Sequence, residues 1–329
     1  MLCIILYHML CFVVTPMMPD NAFYKAMWMP LHIGVPLFVL ISGYFGIKFS
    51  LRGLMRFCSK VYVYLVPASI VYALVVGNEG VKEIIKKVFV FGTGFEEHWY
   101  LNAYLYLFLF SPVINRYLDK ASSVQRGYLL MILLFMSVYI GNMTCNDQRL
   151  LDGKNLTNFV MLYVLENTIR LCQNLVDKIS FKTLTSCIFL YNIAIVLGYI
   201  FIPSLSEKIW KYGFAYNGIL LIVNSIFVFL LFSKISFSSQ LINWLGGGVF
   251  ACYLWQCLPF WNTFVLAPIR YLCQIGGKSS CLLFGEMLVY AIVLILLMVV
   301  IDKLFKPLWD KLVSIASVYD EKWNVRQIL

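Results

Sequence analysis

Apolar runs of membrane-spanning length, separated by short gaps that carry the basic residues, recur along this 329-residue chain. The stretch from His32 to Pro67, HIGVPLFVLISGYFGIKFSLRGLMRFCSKVYVYLVP, shows the pattern in small. One apolar run ends in Ser-Gly-Tyr, a basic cluster follows, and a second apolar run begins. Two membrane spans joined by a cationic loop account for that order. Composition extends the argument to the whole chain. Hydrophobic residues make up 61%, charged residues 13%, and the mean hydropathy is +0.82. A soluble domain carries roughly 25% charged and 45–50% apolar residues. The aromatic share of 17% fits Trp and Tyr belts at membrane interfaces. An all-α, polytopic integral membrane protein is predicted.

A helix needs about 20 apolar residues to cross the hydrocarbon core. Runs that approach this lie at 1–15, 31–47, 61–77, 99–115, 127–143, 157–172, 183–203, 213–232, 246–265 and 281–302, about ten spans. The first is short and opens at Met1 with no basic flank, so a first helix whose start is truncated is expected; a signal peptide would show a basic leader and a small-residue cleavage site. No linker or soluble appendage interrupts the series, and one integral-membrane domain over 1–329 is expected. With the N-terminus inside, sixteen of the 26 Lys and Arg residues fall on the cytoplasmic side. The positive-inside rule then places both termini in the cytoplasm and the chain in the cell (inner) membrane. The stretch VKEIIKKVFVF, residues 81–91, is amphipathic and suited to the outer interface.

Several functions are excluded. The formal charge of +10 is scattered through the gaps rather than gathered on one face, so no nucleic-acid partner is expected. The ten cysteines include no Cys-x-x-Cys pair and no Cys/His grouping with zinc spacing, so no metal site is expected. Gly276-Gly277-Lys278-Ser279 lacks the leading glycine of a phosphate loop, since position 272 is Leu. Asn142 and Asn155 head glycosylation sequons whose use depends on the source.

The chain has three histidines. His8 lies inside LCIILYHMLCFVV, where an ionisable group is costly and marks a functional site by default. Imidazole also suits general-base work near neutrality; packing against a backbone carbonyl is the competing explanation. His32 opens the second run and reads as an interfacial residue. His98 belongs to EEHWYLN, which brings Glu97, Trp99, Tyr100 and Asn102 together at the outer start of the fourth run. Rings that stack on sugar faces, beside groups that bond hydroxyls, suit a glycan, and an aromatic belt explains the same residues. Arg52, Arg56 and Lys60 are four apart and share one helical face. They are placed to hold donor phosphates or simply to signal topology. Glu166 and Arg170 have the spacing of an intrahelical pair.

Three blocks resemble the family-3 membrane acyltransferases in order and spacing. They are IILYHML with its histidine, GVPLFVLISGYFGIKFS followed by basic residues and Pro67, and HWYLNAYLYLFLFSPVIN. LGGGVFACYLWQ is similar to a fourth, late stretch of the family, with Gln256 where a histidine is usual. The arginine that the family places about ten residues before its first histidine has no counterpart here. The resemblance implies transfer of an acyl group, usually acetyl from acetyl-CoA, to a hydroxyl of a cell-surface or exported glycan. It implies His8 as the catalytic group, Arg52 and Arg56 as donor ligands, and acyl-CoA as a substrate with no tightly bound cofactor. Glu97, His98, Trp99, Tyr100 and Asn102 would meet the acceptor. A glycan or lipid-linked-sugar transporter without catalysis is the alternative.

Overall fold

The computed structural model describes residues 1–76, 98–144, 149–202, 208–275, 277 and 279–323. Every regular element among them is helical. In chain order these are α1 (Leu2–Met17), α2 (Ala22–Phe45), α3 (Leu51–Val75), α4 (Trp99–Lys120) and α5 (Ser123–Thr144). Then come α6 (Leu156–Leu171), α7 (Gln173–Lys178), α8 (Phe181–Phe201) and α9 (Ile219–Ser233). The last are α10 (Gln240–Gly246), α11 (Val249–Gln256), α12 (Trp261–Ile275), α13 (Ser280–Leu304) and α14 (Lys306–Trp323).

The all-helical membrane architecture is as expected, but the count of ten spans is not confirmed among the described residues. Among the described residues α2, α3, α5, α8 and α13 are each long and apolar enough to cross a bilayer. The pair α11 and α12, bent by 94°, supplies a sixth if taken as one broken span. Every expected run does fall on a helix; length and charge separate the rest. Helices α1 and α9 are apolar but shorter. Helix α6 has 16 residues and carries Glu166 and Arg170, and α4 ends in Arg116, Asp119 and Lys120.

Local chemistry sets the helix ends. Side chains of Asn21, Ser50, Asn155, Ser180 and Ser279 accept hydrogen bonds from the first turns of α2, α3, α6, α8 and α13. Ser122 and Gln125 form a reciprocal capping box on α5. Helix α2 breaks at Ile33, because Pro36 has no N–H to offer the carbonyl four residues back. It ends at Gly46, which turns the chain at φ +69°.

The described chain divides into two compact units. One comprises Met1–Asp20, Phe49–Asn102 and Ser238–Leu329, the other Asn21–Lys48 and Ala103–Phe237. In the second, α2 packs along α6, α5 along α6, and α9 against both α2 and α8. The Ser-Gly-Tyr glycine makes the first contact possible: a Cβ on Gly43 would lie 2.9 Å from the Tyr163 carbonyl oxygen. Buried amides close this unit. Asn217 Nδ2 donates to the carbonyls of Ser137 (2.7 Å) and Leu150 (3.0 Å), while its Oδ1 accepts from Asn142 Nδ2. Asn158 Nδ2 donates to the carbonyls of Gly153 and Tyr216, and Ser137 Oγ donates to Asn158 Oδ1. His32, expected to open its helix at the interface, lies well inside it. The helix begins ten residues earlier, at Ala22, so His32 is buried with its ring 4.5 Å from that of Tyr216. Asn142 is only 3% exposed, which removes it as a glycan acceptor.

In the first unit α1 and α11 pack on α13, α12 packs on the far part of α1, and α14 runs along α3. Val61, Tyr64 and Leu65 of α3, Ala251 and Leu254 of α11, Leu258 and Trp309 share one buried cluster with Leu101.

Asn217→Ala removes the shared donor of two buried carbonyls and one of the two acceptors of the Asn142 amide. It should destabilise the protein by about 1–3 kcal/mol, read as a lower thermal midpoint in detergent, whereas Asn243→Ala, on another element, should not.

Candidate functional site

Helix α1 is apolar over Leu2–Val14 except at Tyr7 and His8. Ile4, Ile5, Leu6, Met9 and Leu10 are buried around His8. The His8 ring lies 5.2 Å from Phe12 and 6.1 Å from Tyr7, tilted to both. Immediately after it the helix widens into a π turn over Leu10–Val14. Such turns are rare and cluster at functional sites, because the extra residue re-aims the side chains of one face.

The element that meets His8 is α11. It begins tight against α13: a Cβ on Gly248 would lie 2.8 Å from a methyl of Val299. The Cys252 thiol reaches the Ile295 carbonyl at 3.9 Å. One turn later, at the last residue before the 94° bend, Gln256 Nε2 donates to the Cys252 carbonyl at 2.9 Å and approaches Met1 Sδ at 3.3 Å. The carboxamide lies beside the His8 ring. His8 Nδ1 and Gln256 Oε1 are both buried and neither closes a hydrogen bond. Buried polar atoms are normally paired, and these two side chains lie close enough to pair with each other.

The same helix meets the aromatic cluster. Tyr100 is buried with its ring 4.8 Å from Tyr253, and Trp99 stands edge-on to Tyr100 at 6.0 Å. Trp255 lies between Tyr64 (6.5 Å) and Phe260 (6.3 Å). Asn102 Oδ1, Trp255 Nε1 and Trp261 Nε1 are buried without partners. His98, Trp99, Tyr100 and Asn102 thus lie in the unit that holds His8, and α11 touches both groups, through Tyr253 and Gln256. Glu97 lies outside the described residues.

The basic stripe of α3 is divided. Lys60 Nζ binds both carboxylate oxygens of Asp302, at 2.8 and 2.9 Å, and sits 5.7 Å above the Trp309 ring. Tyr64 Oη donates to the same carboxylate, and Trp309 Nε1 donates to the Asp302 carbonyl. Lys60 is thereby neutralised in a nearly closed site, its side chain 12% exposed and that of Asp302 4%. Arg52 and Arg56 are exposed and bind no carboxylate among the described residues, which leaves two full charges one turn apart. Glu166 and Arg170, expected to pair, do not. Arg170 donates to the Tyr44 carbonyl at 3.1 Å, while Glu166 is buried against Gly43 with Oε2 unpartnered.

Gln256, Tyr253 and Asp302 were not singled out as site residues from the sequence. A lone carboxylate at the end of the 25-residue apolar helix α13 is the signal that marks Asp302. Gln256 stands out only against the family pattern.

The sequence model of a family described as an acyltransferase domain, that of the family-3 acyltransferases, matches residues 1–303. No curated protein and no solved structure matches the chain significantly.

Removing one member of a buried ion pair costs more than replacing both. Asp302→Leu should therefore destabilise by about 3–5 kcal/mol, and Lys60→Met combined with it should restore much of the loss. Thermal unfolding of the single and double variants in detergent checks this.

Proposed function

The chain belongs to the family-3 acyltransferases and is an enzyme that transfers acyl groups, and from that premise we propose that it moves an acetyl group from acetyl-CoA to a hydroxyl of a cell-surface or exported glycan. The enzyme would work in the cell (inner) membrane with both termini in the cytoplasm. We read the two compact units as one catalytic domain, because the family match runs continuously through both.

One observation carries the reading. A titratable ring is held in an apolar helix, in the same unit as exposed arginines that bind no carboxylate among the described residues and a cluster of sugar-compatible aromatics. The chemistry follows from these parts. Arg52 and Arg56 hold the donor's phosphates through charge-assisted bonds, which suits guanidinium better than ammonium. Lys60 is spent on Asp302 and takes no part. The acceptor ring stacks on Trp99 and Tyr100, while Glu97, His98 and Asn102 bond its hydroxyls. His8 removes the proton of the reacting hydroxyl as its oxygen attacks the thioester carbonyl carbon. The C–O ester bond forms, the C–S bond breaks, and the departing CoA sulfur receives the proton that His8 took up. The acyl-CoA is consumed as a substrate and no resident cofactor is needed.

Purified protein given radiolabelled acetyl-CoA and a panel of glycans should leave an alkali-labile ester on one of them. His8→Ala should lower the rate about 10²–10⁴-fold, the usual worth of a general base; undiminished acetylation would remove His8 from the mechanism. Arg52→Ala or Arg56→Ala should raise the donor KM roughly tenfold, consistent with one charged hydrogen bond, and leave the acceptor KM unchanged. Glycan movement without any acyl donor would favour transport instead.

A further inference from the structure

The orientation of the Gln256 carboxamide is chemically fixed. The Cys252 carbonyl, 2.9 Å away, only accepts, so the amide nitrogen must face it and Oε1 must project from the other side. That oxygen is buried and unbonded, beside an imidazole whose buried Nδ1 is also unbonded. Each supplies what the other lacks: Oε1 can only accept, and a neutral imidazole has one N–H to donate. The α11 backbone that carries Gln256 is held against α13 at Gly248 and through the Cys252 thiol, so the acceptor is presented from a rigid element. Gln256 is also the last helical residue before the bend into α12, where a side chain can turn toward a neighbouring helix without crossing its own.

We propose that Gln256 is the positioning residue for His8: its Oε1 accepts the His8 Nδ1–H, which fixes the tautomer that leaves Nε2 unprotonated and aimed at the acceptor hydroxyl. The bond made by one ring nitrogen decides which proton the other lacks. A neutral carboxamide does this without adding a charge to the apolar interior, which a carboxylate in the same place would do. The assignment rests on His8 as general base. Gln256 touches no substrate and acts only through the ring.

The test uses the full chain in detergent, with ¹⁵N-labelled histidine. Only three histidines contribute signals, and His8→Ala identifies the one of interest. The wild-type spectrum should show His8 as the Nδ1–H tautomer. Gln256→Met, similar in length but without an acceptor, should mix or reverse the tautomers. It should also lower kcat roughly 10–100-fold, the scale at which orienting partners of histidine act, with the donor KM unchanged. Gln256→Glu keeps an acceptor oxygen and should retain both the Nδ1–H signal and more activity than Gln256→Met. An Nε2–H tautomer in the wild type, or a Gln256→Met protein with unchanged spectrum and kcat, overturns the proposal. Full activity of His8→Ala alongside a tautomer change in Gln256→Met would instead uphold the pairing and refute the general-base reading.

Discussion

The hydrocarbon core of a bilayer offers no hydrogen-bond partner, and that shortage organises this protein. It forces the backbone into helices, and it makes each buried polar side chain either find a mate within the fold or remain open at a cost. In the unit built on α2 and α4–α9, the amides of Asn142, Asn158 and Asn217 find mates in one another and in backbone carbonyls. In the other unit Lys60 and Asp302 satisfy each other across 242 residues of sequence. These are closed arrangements and hold structure.

His8 and Gln256 are of another kind. Their buried atoms lie together, on a helix that departs from α-geometry two residues later and on a helix that stops at the pairing residue. Asn102, Trp255 and Trp261 add further open donors and acceptors in the same unit. The valences of Asn102, Trp255 and Trp261, left unpaired within an apolar fold, suit groups that pair with a substrate, whereas those of His8 and Gln256 suit each other. Glu166, also open, stands apart in the other unit and has no role in the proposed chemistry.

Much of the architecture was legible because its signals are local. Hydropathy located the long apolar helices, and the i, i+4 spacing of Arg52, Arg56 and Lys60 put them on one face. Span number was less legible, because a helix such as α6 or α9 forms by the same rules whether or not it is long enough to cross. His32 opens an apolar window in the sequence but not its helix, which starts at the Asn21 cap. What could not be read at all was tertiary: that Lys60 is taken by Asp302 while Arg52 and Arg56 bind no carboxylate among the described residues, and that the Gln256 departure from the family pattern lies against His8. Those facts depend on which helices pack together, and no spacing within a helix encodes them.

The central claim is that His8 is reached by the thioester of a donor whose phosphates rest on Arg52 and Arg56. A cryo-electron-microscopy map of the full-length enzyme with a non-hydrolysable acetyl-CoA analogue tests it most directly. The account expects the acyl carbonyl within contact distance of the His8 ring and the phosphates on those two arginines. An acyl group held elsewhere, with the imidazole walled off by apolar side chains, would contradict it.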